Sequence, residues 1–202
     1  MAMIGSARLT LRPLRIASLI NPPRPVDPSM TLRPEQGWIR MRYFTNYWDH
    51  RWLKWGQDEE GEVLNHTAGN QFLKRGVGAG DFLYVVTVEK GRLHLLGRLQ
   101  VEGIYEQQKA ERLLRTNNLW PATDHAVAIP GTETRLTLDL IIPTDAVRRL
   151  RFHATGNKVS SPKFSGPGRL DQQTFRGVRE LTESGAILLD DFLVAPDSAQ
   201  LQ

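Results

Sequence analysis

The stretch that decides the fold is Phe82–Ile104, which reads FLYVVTVEKGRLHLLGRLQVEGI. It begins with an apolar, β-branched run and, after a short polar turn that contains Gly91, continues with a second apolar run. Two such runs around a glycine turn predict a β-hairpin. Because the apolar character is nearly continuous, we expect burial on both faces, as in a small barrel. Gly97 and Gly103 are expected to mark bends in the returning strand.

Weaker patterns on both sides of this hairpin predict the other elements. Segments rich in β formers predict strands at 37–45, 125–129 and 135–142. Composition, capping residues and apolar spacing predict helices at 46–55, 106–116, 144–150, 174–183 and 186–193, and a long loop at 154–169. The fold class is therefore α+β. We expect a small curved β-barrel or a strongly bent mixed sheet, flanked by short helices.

The 202 residues are expected to form a single domain between two tails. Residues 1–31 are predicted to be a flexible basic extension, either a targeting segment or a disordered arm, because arginines dominate their charge and a proline cluster lies at 22–28. The domain is expected to span 32–195, with a tail at 196–202. No apolar run approaches the roughly 20 residues that cross a bilayer, so no membrane partner is expected.

The composition argues against several kinds of chemistry. The chain has no cysteine, which excludes disulfides, thiolate zinc sites and cysteine nucleophiles, and fits a cytoplasmic protein. No nucleophile elbow, phosphate-binding loop or metalloprotease histidine pair is present in the sequence. We therefore predict no catalytic residues, no metal ligands and no cofactor, and a binding module rather than an enzyme.

A dense aromatic patch is the first candidate for function. Seven aromatic residues fall between Trp38 and Trp55, and they include four of the five tryptophans. Aromatic rings stack on nucleobases and wall pockets for extruded bases, while asparagine side chains can read a base edge. The predicted base pocket comprises Tyr43, Asn46, Trp48, Trp52, Trp55 and Asn70. The alternative is that these tryptophans pack in the core, and we expect at least two of the four to do so.

Basic charge is concentrated late in the chain. The net charge is only +4, but residues 148–179 are strongly basic. Cations and hydroxyl groups on a glycine-rich loop suit contacts with phosphates. The predicted phosphate contacts are Lys158, Ser160, Lys163 and Arg169, and the alternative is an ordinary solvated loop.

Several motifs in residues 38–104 come in a recognisable order. They are Tyr43-Phe44-Thr45, Trp48, Thr67-Ala68-Gly69-Asn70, Gln71-Phe72-Leu73-Lys74, Gly80-Asp81-Phe82 and Leu96-Gly97-Arg98-Leu99-Gln100-Val101. This order resembles the PUA-like superfamily, and most closely its EVE-type domains. Gly69 departs from the family pattern, which has an arginine there, so no contact is carried over to that position.

The resemblance implies a curved sheet or barrel with a pocket for a modified or flipped base. It also implies a reader module of a restriction or defence system, with a nuclease partner in trans. The expected partner is nucleic acid, with DNA weakly favoured over RNA. The alternatives are a PUA-like RNA-binding module, a small-ligand or nucleotide enzyme that uses Asp49, His50 or His66, and a protein adaptor with exposed tryptophans.

Overall fold

A computed structural model describes residues 41–194, and all of them belong to one compact unit. The predicted extension 1–31, the first residues of the predicted domain and the predicted tail lie outside the described residues. The side chains of residues 52, 55, 56, 157 and 194 lie outside them as well. Within residues 41–194, no helix is both long and apolar enough to cross a membrane.

Nine strands of the described chain form one sheet, and two more form a small separate sheet. The nine are β1 Tyr43–Tyr47, β2 His66–Gly69, β3 Phe82–Glu89, β4 Arg92–Tyr105, β5 Asp124–Ala128, β6 Ile141–Ile142, β7 Phe152–Ala154, β8 Lys158–Ser160 and β11 Val178–Leu181. The small sheet pairs β9 Phe164–Gly166 with β10 Arg169–Leu170. The α-helices are α1 Trp52–Trp55, α2 Gln107–Leu114, α3 Thr144–Arg149 and α4 Glu183–Val194. Short 3-10 turns lie at Gly56–Glu59, Leu73–Arg75, Thr155–Asn157 and Gln172–Thr174.

The large sheet is mixed and open. Its strand order is β2-β5-β4-β3-β1-β11-β7-β8, with β6 also paired to β4. Strands β1 and β3 run parallel, while the other pairs are antiparallel. The α+β class and the mixed sheet are therefore confirmed. The expectation of a closed barrel is wrong, because the edge strands β2 and β8 are not paired with each other in the described chain.

The central hairpin forms as the sequence predicts. β3 and β4 pair from Phe82 to Glu89, and Lys90 and Gly91 alone connect them. Both turn residues have positive φ, 50° for Lys90 and 79° for Gly91. Positive φ at both central positions is the signature of a type I′ turn, whose twist matches that of the flanking strands.

The sheet bends where β4 changes partner. β4 pairs with β3 along its first part and with β5 along its last part, and the register shifts at Val85/Val86 and at Val101/Gly103. Extra residues at such bulges increase twist and curvature. Gly97 lies opposite Val85, and a Cβ there would lie 2.9 Å from Oγ1 of Thr134. The bend thus depends on a residue without a side chain at this close approach.

Two apolar layers cover the two faces of the sheet. One contains Tyr84 and Val86 of β3 with residues of α3 and α4, and the other contains Leu83 and Val85 with the segments around Leu64 and Leu136. β3 is therefore buried on both faces, as its continuous apolar run predicts. Each fully buried aliphatic side chain stabilises the fold by about 1.5–3 kcal/mol.

The predicted helix at 46–55 is wrong over its first half. β1 continues to Tyr47, which pairs with Val86, and the backbone N–H of Trp48 donates to the carbonyl of Val86 at 2.9 Å. Only Trp52–Trp55 is α-helical. Pairing with a central strand satisfies backbone groups that an isolated short helix leaves open, so it overrides the helical spacing of the tryptophans.

Three other segments also differ from expectation. Only Ile141–Ile142 of the predicted strand 135–142 is a regular strand. The backbone before it bonds alternately to two different segments, because Leu136 N–H donates to the carbonyl of Glu62 and Thr137 N–H donates to that of Leu96. The predicted helix 174–183 contains β11, whose Val178 and Leu181 pack into opposite layers. The predicted loop 154–169 contains the short strands β8 and β9. Long-range pairing decides the first two, whereas local pairing of β8 with β7 and of β9 with β10 decides the third.

Candidate ligand pocket and basic cleft

A cavity of about 310 Å³ opens at the end of β1. Small-ligand sites begin at about this volume, and they are walled mainly by apolar and aromatic groups. The cavity is lined by Tyr47, Trp48, Asp49, Glu59, Glu62, Val63, Leu64, Asn65, His66, Ala68, Asn118, Leu119, Trp120 and Leu136. The end of a strand, a connecting loop and β2 together position these side chains.

Trp48 is held rigidly as one wall of this cavity. Its backbone N–H is bonded to β3, and its indole Nε1–H donates to Oγ1 of Thr67 at 2.9 Å. The same hydroxyl accepts a hydrogen bond from Nδ2 of Asn46 at 2.7 Å, and Asn46 is 3% exposed. Trp48 is therefore oriented by both β1 and β2 before any ligand arrives.

Trp120 is the second tryptophan that lines the cavity, and it is not among the residues predicted from the sequence. It lies between α2 and β5, is 57% exposed, and lines the same space as Trp48. The sequence feature that could have indicated it is its position, because the fifth tryptophan lies outside the aromatic patch, in a polar segment. An indole with so much exposed area is an obvious contact for a planar ligand.

A stacked histidine pair lies beside the cavity. The rings of His66 and His125 have centroids 5.2 Å apart and an angle of 15° between planes. Nε2 of His66 lies 3.0 Å from Nδ1 of His125, and Nε2 of His125 lies 3.2 Å from the carbonyl of Ala122. Because a carbonyl only accepts, Nε2 of His125 carries a proton, and in the tautomer pair with one proton on each ring its Nδ1 accepts from Nε2–H of His66. This series of hydrogen bonds leaves Nδ1 of His66 as an unprotonated acceptor.

Burial keeps His66 uncharged near neutral pH. Desolvation lowers the pKa of His66 from 6.5 to about 4, and the repulsion that two charged rings would exert on each other acts in the same direction. A charged imidazole would lose hydration that its surroundings do not replace. His66, which lines the cavity, is therefore a neutral ring with a lone pair rather than a positive charge.

The ionised side chains that line the cavity are all acidic. Asp49 is engaged by Arg51, whose Nε lies 2.9 Å from Oδ1, and these hydrogen bonds lower the pKa of the carboxyl. Glu59 and Glu62 are exposed at the rim. Like charges repel, so the cavity disfavours a phosphate and favours groups that donate N–H.

A separate cleft carries the opposite charge. Its lining includes four basic side chains and one acid: Lys74, Arg75, Arg176, Arg179 and Glu180. Burial and the nearby charge of Arg75 lower the pKa of Arg179. Arg179 lies over the ring of Phe152 at 4.6 Å and donates to the Thr174 carbonyl at 2.6 Å. Several cations held close together favour an anionic ligand such as a phosphate.

The cleft adjoins the cavity at Tyr47. Tyr47 lines the cavity, and its backbone N–H donates to the carbonyl of Gly177 at 3.1 Å, directly after Arg176 of the cleft. Burial raises the pKa of Tyr47, and the charge of Arg176 acts in the opposite direction. One backbone hydrogen bond thus links a residue of the acidic aromatic cavity to the residue that follows Arg176 of the basic cleft.

The structure separates the residues that the sequence groups as a base pocket. Trp48 lines the cavity, but Tyr43 stacks on Phe82 at 5.9 Å in the core layer that also packs α4. Asn46 is buried and bonded to Thr67. The side chain of Asn70 accepts from the backbone N–H of Thr123 at 2.9 Å.

The side chains of Trp52 and Trp55 lie outside the described residues. Asp49 and His66, proposed for the alternative enzyme, do line the cavity, whereas His50 is exposed and lies 3.5 Å from Asp49. Among residues 41–194, no group of three or more acidic or histidine side chains could hold a metal ion.

The predicted phosphate contacts also fall in different places. Ser160 accepts from Arg179 at 3.1 Å, beside the basic cleft, and Lys158 is exposed on the same strand, β8. Arg169 instead lies against Gly91 at the hairpin turn, and Lys163 follows β8 on the way to the small sheet. The predicted set omitted all four basic residues of the cleft, Lys74, Arg75, Arg176 and Arg179.

Comparison with known proteins gives no relative from which a role could be transferred. No protein-family model and no curated protein matches the chain. The cavity and the cleft therefore carry the functional argument by themselves.

Proposed function

We propose that this protein is a nucleic-acid-binding module that holds one base in the aromatic cavity while neighbouring phosphates lie along the basic cleft. The observation that carries the proposal is a pair of sites of opposite character, a cavity lined by Trp48 and Trp120 and a cleft with four basic side chains, linked by the backbone hydrogen bond between Tyr47 and Gly177. A nucleotide has the same division, with an uncharged planar base and an anionic phosphate.

The energetics of the two sites complement each other. Stacking of a base on an aromatic side chain contributes about 1–3 kcal/mol, and it suits a ring that is already fixed, as Trp48 is by Thr67. Phosphate contacts contribute affinity that depends strongly on salt, because counterions are released. The acidic rim then repels phosphates from the cavity, so a base enters it in preference to the backbone.

The resemblance to PUA-like, EVE-type domains supports the same proposal. The Thr67–Asn70 motif forms most of β2, where Thr67 orients Trp48 and Ala68 lines the cavity. The Gly80-Asp81 motif precedes β3, and Asp81 there accepts from the backbone N–H of Arg42 at 3.0 Å. We propose a PUA-like reader of a modified or flipped base. DNA as the preferred nucleic acid and a nuclease partner in trans remain predictions.

The geometry favours binding over catalysis. An effective general base has a pKa near the working pH, whereas burial lowers the pKa of His66 to about 4. The carboxylate of Asp49 is held by three donors of Arg51. Of the three titratable groups proposed for an enzyme, the two that line the cavity, Asp49 and His66, are thus poorly suited to proton transfer at neutral pH.

Fluorescence anisotropy with labelled oligonucleotides tests the proposal. The probes are single strands and duplexes with one unpaired base, as matched DNA and RNA, at low and high salt. Trp48→Ala is expected to weaken binding by about fivefold or more through lost stacking, and Arg176→Gln to reduce the salt dependence. Arg112→Gln, on α2 and outside both sites, is the matched charge control. Absence of binding to every DNA and RNA probe at low salt refutes the proposal.

A further inference from the structure

The acceptor character of the cavity narrows the class of base it would take. We infer that the cavity selects bases with an exocyclic amino group, namely cytosine, adenine and guanine, over uracil and thymine, with Nδ1 of His66 as the acceptor of that group. This inference rests on the proposed function, since it assumes that a base enters the cavity.

The first step is the direction of the hydrogen bonds through the histidine pair. The Ala122 carbonyl fixes the proton of His125 on Nε2, which lies 3.2 Å away. His125 is 0% exposed, so water cannot replace this partner. His66 then donates Nε2–H to His125 across 3.0 Å, and its own Nδ1 keeps the lone pair. His125 is thus a positioning residue for His66.

The second step is that this lone pair is left for a ligand. His66 lines the cavity, and within residues 41–194 its hydrogen bond to His125 is the ring's only one. Burial keeps the ring neutral at pH 7, which preserves the acceptor. The carboxyl groups on the cavity wall, those of Asp49, Glu59 and Glu62, are also acceptors when ionised.

The third step is the chemistry of the bases. Cytosine carries an amino donor on C4, where uracil and thymine carry a carbonyl acceptor, and adenine carries an amino donor on C6. An amino group facing Nδ1 of His66 forms a hydrogen bond, whereas a carbonyl there places two acceptors against each other. A site built to bond one polar group rejects the analogue that leaves its partner unsatisfied.

Two pairs of probes isolate this one group. Single-stranded oligonucleotides that differ at one position by cytosine or uracil, and by adenine or unsubstituted purine, are titrated by anisotropy. The oligonucleotide with the amino group is expected to bind at least about fivefold more tightly than its partner. The partner without the amino group loses one hydrogen bond and leaves Nδ1 of His66 buried without a donor. The variant His66→Phe keeps a ring that can stack on His125 but lacks Nδ1. In this variant the ratio of the two affinities within each pair of probes is expected to fall below about twofold. Arg112→Gln should keep the wild-type ratio.

Nuclear magnetic resonance tests the tautomer without any ligand. Long-range ¹H–¹⁵N spectra of the wild-type protein at pH 7 are expected to show His66 protonated on Nε2 and unprotonated on Nδ1. His125→Phe is expected to lower the cytosine-to-uracil ratio although His66 itself is unchanged. If that variant does not fold, the wild-type spectra and the four probes decide the question.

The possible outcomes separate the inference from the proposed function. Equal binding of amino and carbonyl members, a preference for uracil, or a proton on Nδ1 of His66 overturns the inference and leaves base binding intact. Failure of every probe to bind refutes base binding itself. Tight amino-selective binding that persists in His66→Phe assigns the selection to other cavity residues and also overturns the inference.

Discussion

The histidine pair makes a quantitative prediction about stability and pH. In the unfolded chain His66 has its ordinary pKa of 6.5, and in the folded protein burial lowers that pKa to about 4. Between these values the unfolded state binds more protons, so stability falls as pH falls through this window. For His66 alone, the loss is about 2 kcal/mol between pH 7 and pH 5, and about 3 kcal/mol once the pH is below 4.

Urea unfolding at pH 7 and pH 5 measures this effect. Comparing the wild type with His66→Gln removes the contribution of the other titrating groups, because both proteins contain them. The free energy of unfolding that is lost between pH 7 and pH 5 should therefore be smaller in the variant by about 2 kcal/mol. His153→Gln is the matched control, because His153 is exposed on β7 and should leave the wild-type loss unchanged. An equal pH-dependent loss in the wild type and in His66→Gln would refute the assignment of a neutral, buried His66.

Three further substitutions test the contacts that shape the cavity and the sheet. Thr67→Val should lower the free energy of unfolding in urea by about 2 kcal/mol, because Asn46 and Trp48 lose the hydroxyl that accepts from both. Thr67→Ser keeps the hydroxyl and should retain the wild-type stability. Gly97→Ala should cost about 1–3 kcal/mol by calorimetry, since its Cβ would clash, whereas Gly78→Ala meets nothing within 4 Å and should cost less. Asp190→Asn should lower the thermal midpoint by weakening the acceptor that Tyr84 reaches at 3.0 Å, with a cost of about 1–3 kcal/mol; an unchanged midpoint would contradict this role.

The parts of the fold that the sequence predicts are those that local patterns determine. The hairpin follows from two continuous apolar runs and a two-residue turn with positive φ at Lys90 and Gly91. Helix α2 follows from a run of good helix formers, 107–114. In both cases neighbouring residues decide the structure, so no distant partner is needed.

Two of the elements that were predicted wrongly depend on distant partners. Val178–Leu181 is a strand because it pairs with β1, more than 130 residues earlier in the chain, as in the Thr45–Arg179 register. Trp48 leaves the predicted helix because Val86 supplies an acceptor for its backbone. Intrinsic helical preferences are small compared with such pairing, and tertiary context overrides them.

The candidate site likewise contains residues that a local sequence pattern indicates and residues that only the fold brings together. Trp48 could be selected from the density of aromatic residues, but Trp120 joins it only through the fold. His66 and His125 are 59 residues apart, and no spacing rule connects them. The cationic cleft likewise joins Arg75 to Arg176 across the sheet, whereas the sequence suggested one contiguous basic loop.

The central claim is that a base occupies the cavity lined by Trp48 and Trp120. The most direct measurement is a nuclear magnetic resonance titration of the wild-type protein with a short single-stranded oligonucleotide, following both indole side chains. Stacking of a base should produce ring-current shifts at the two indoles, together with perturbation of Arg176 in the cleft. Shifts confined to the basic cleft, with both indole resonances unmoved at saturation, would contradict the account.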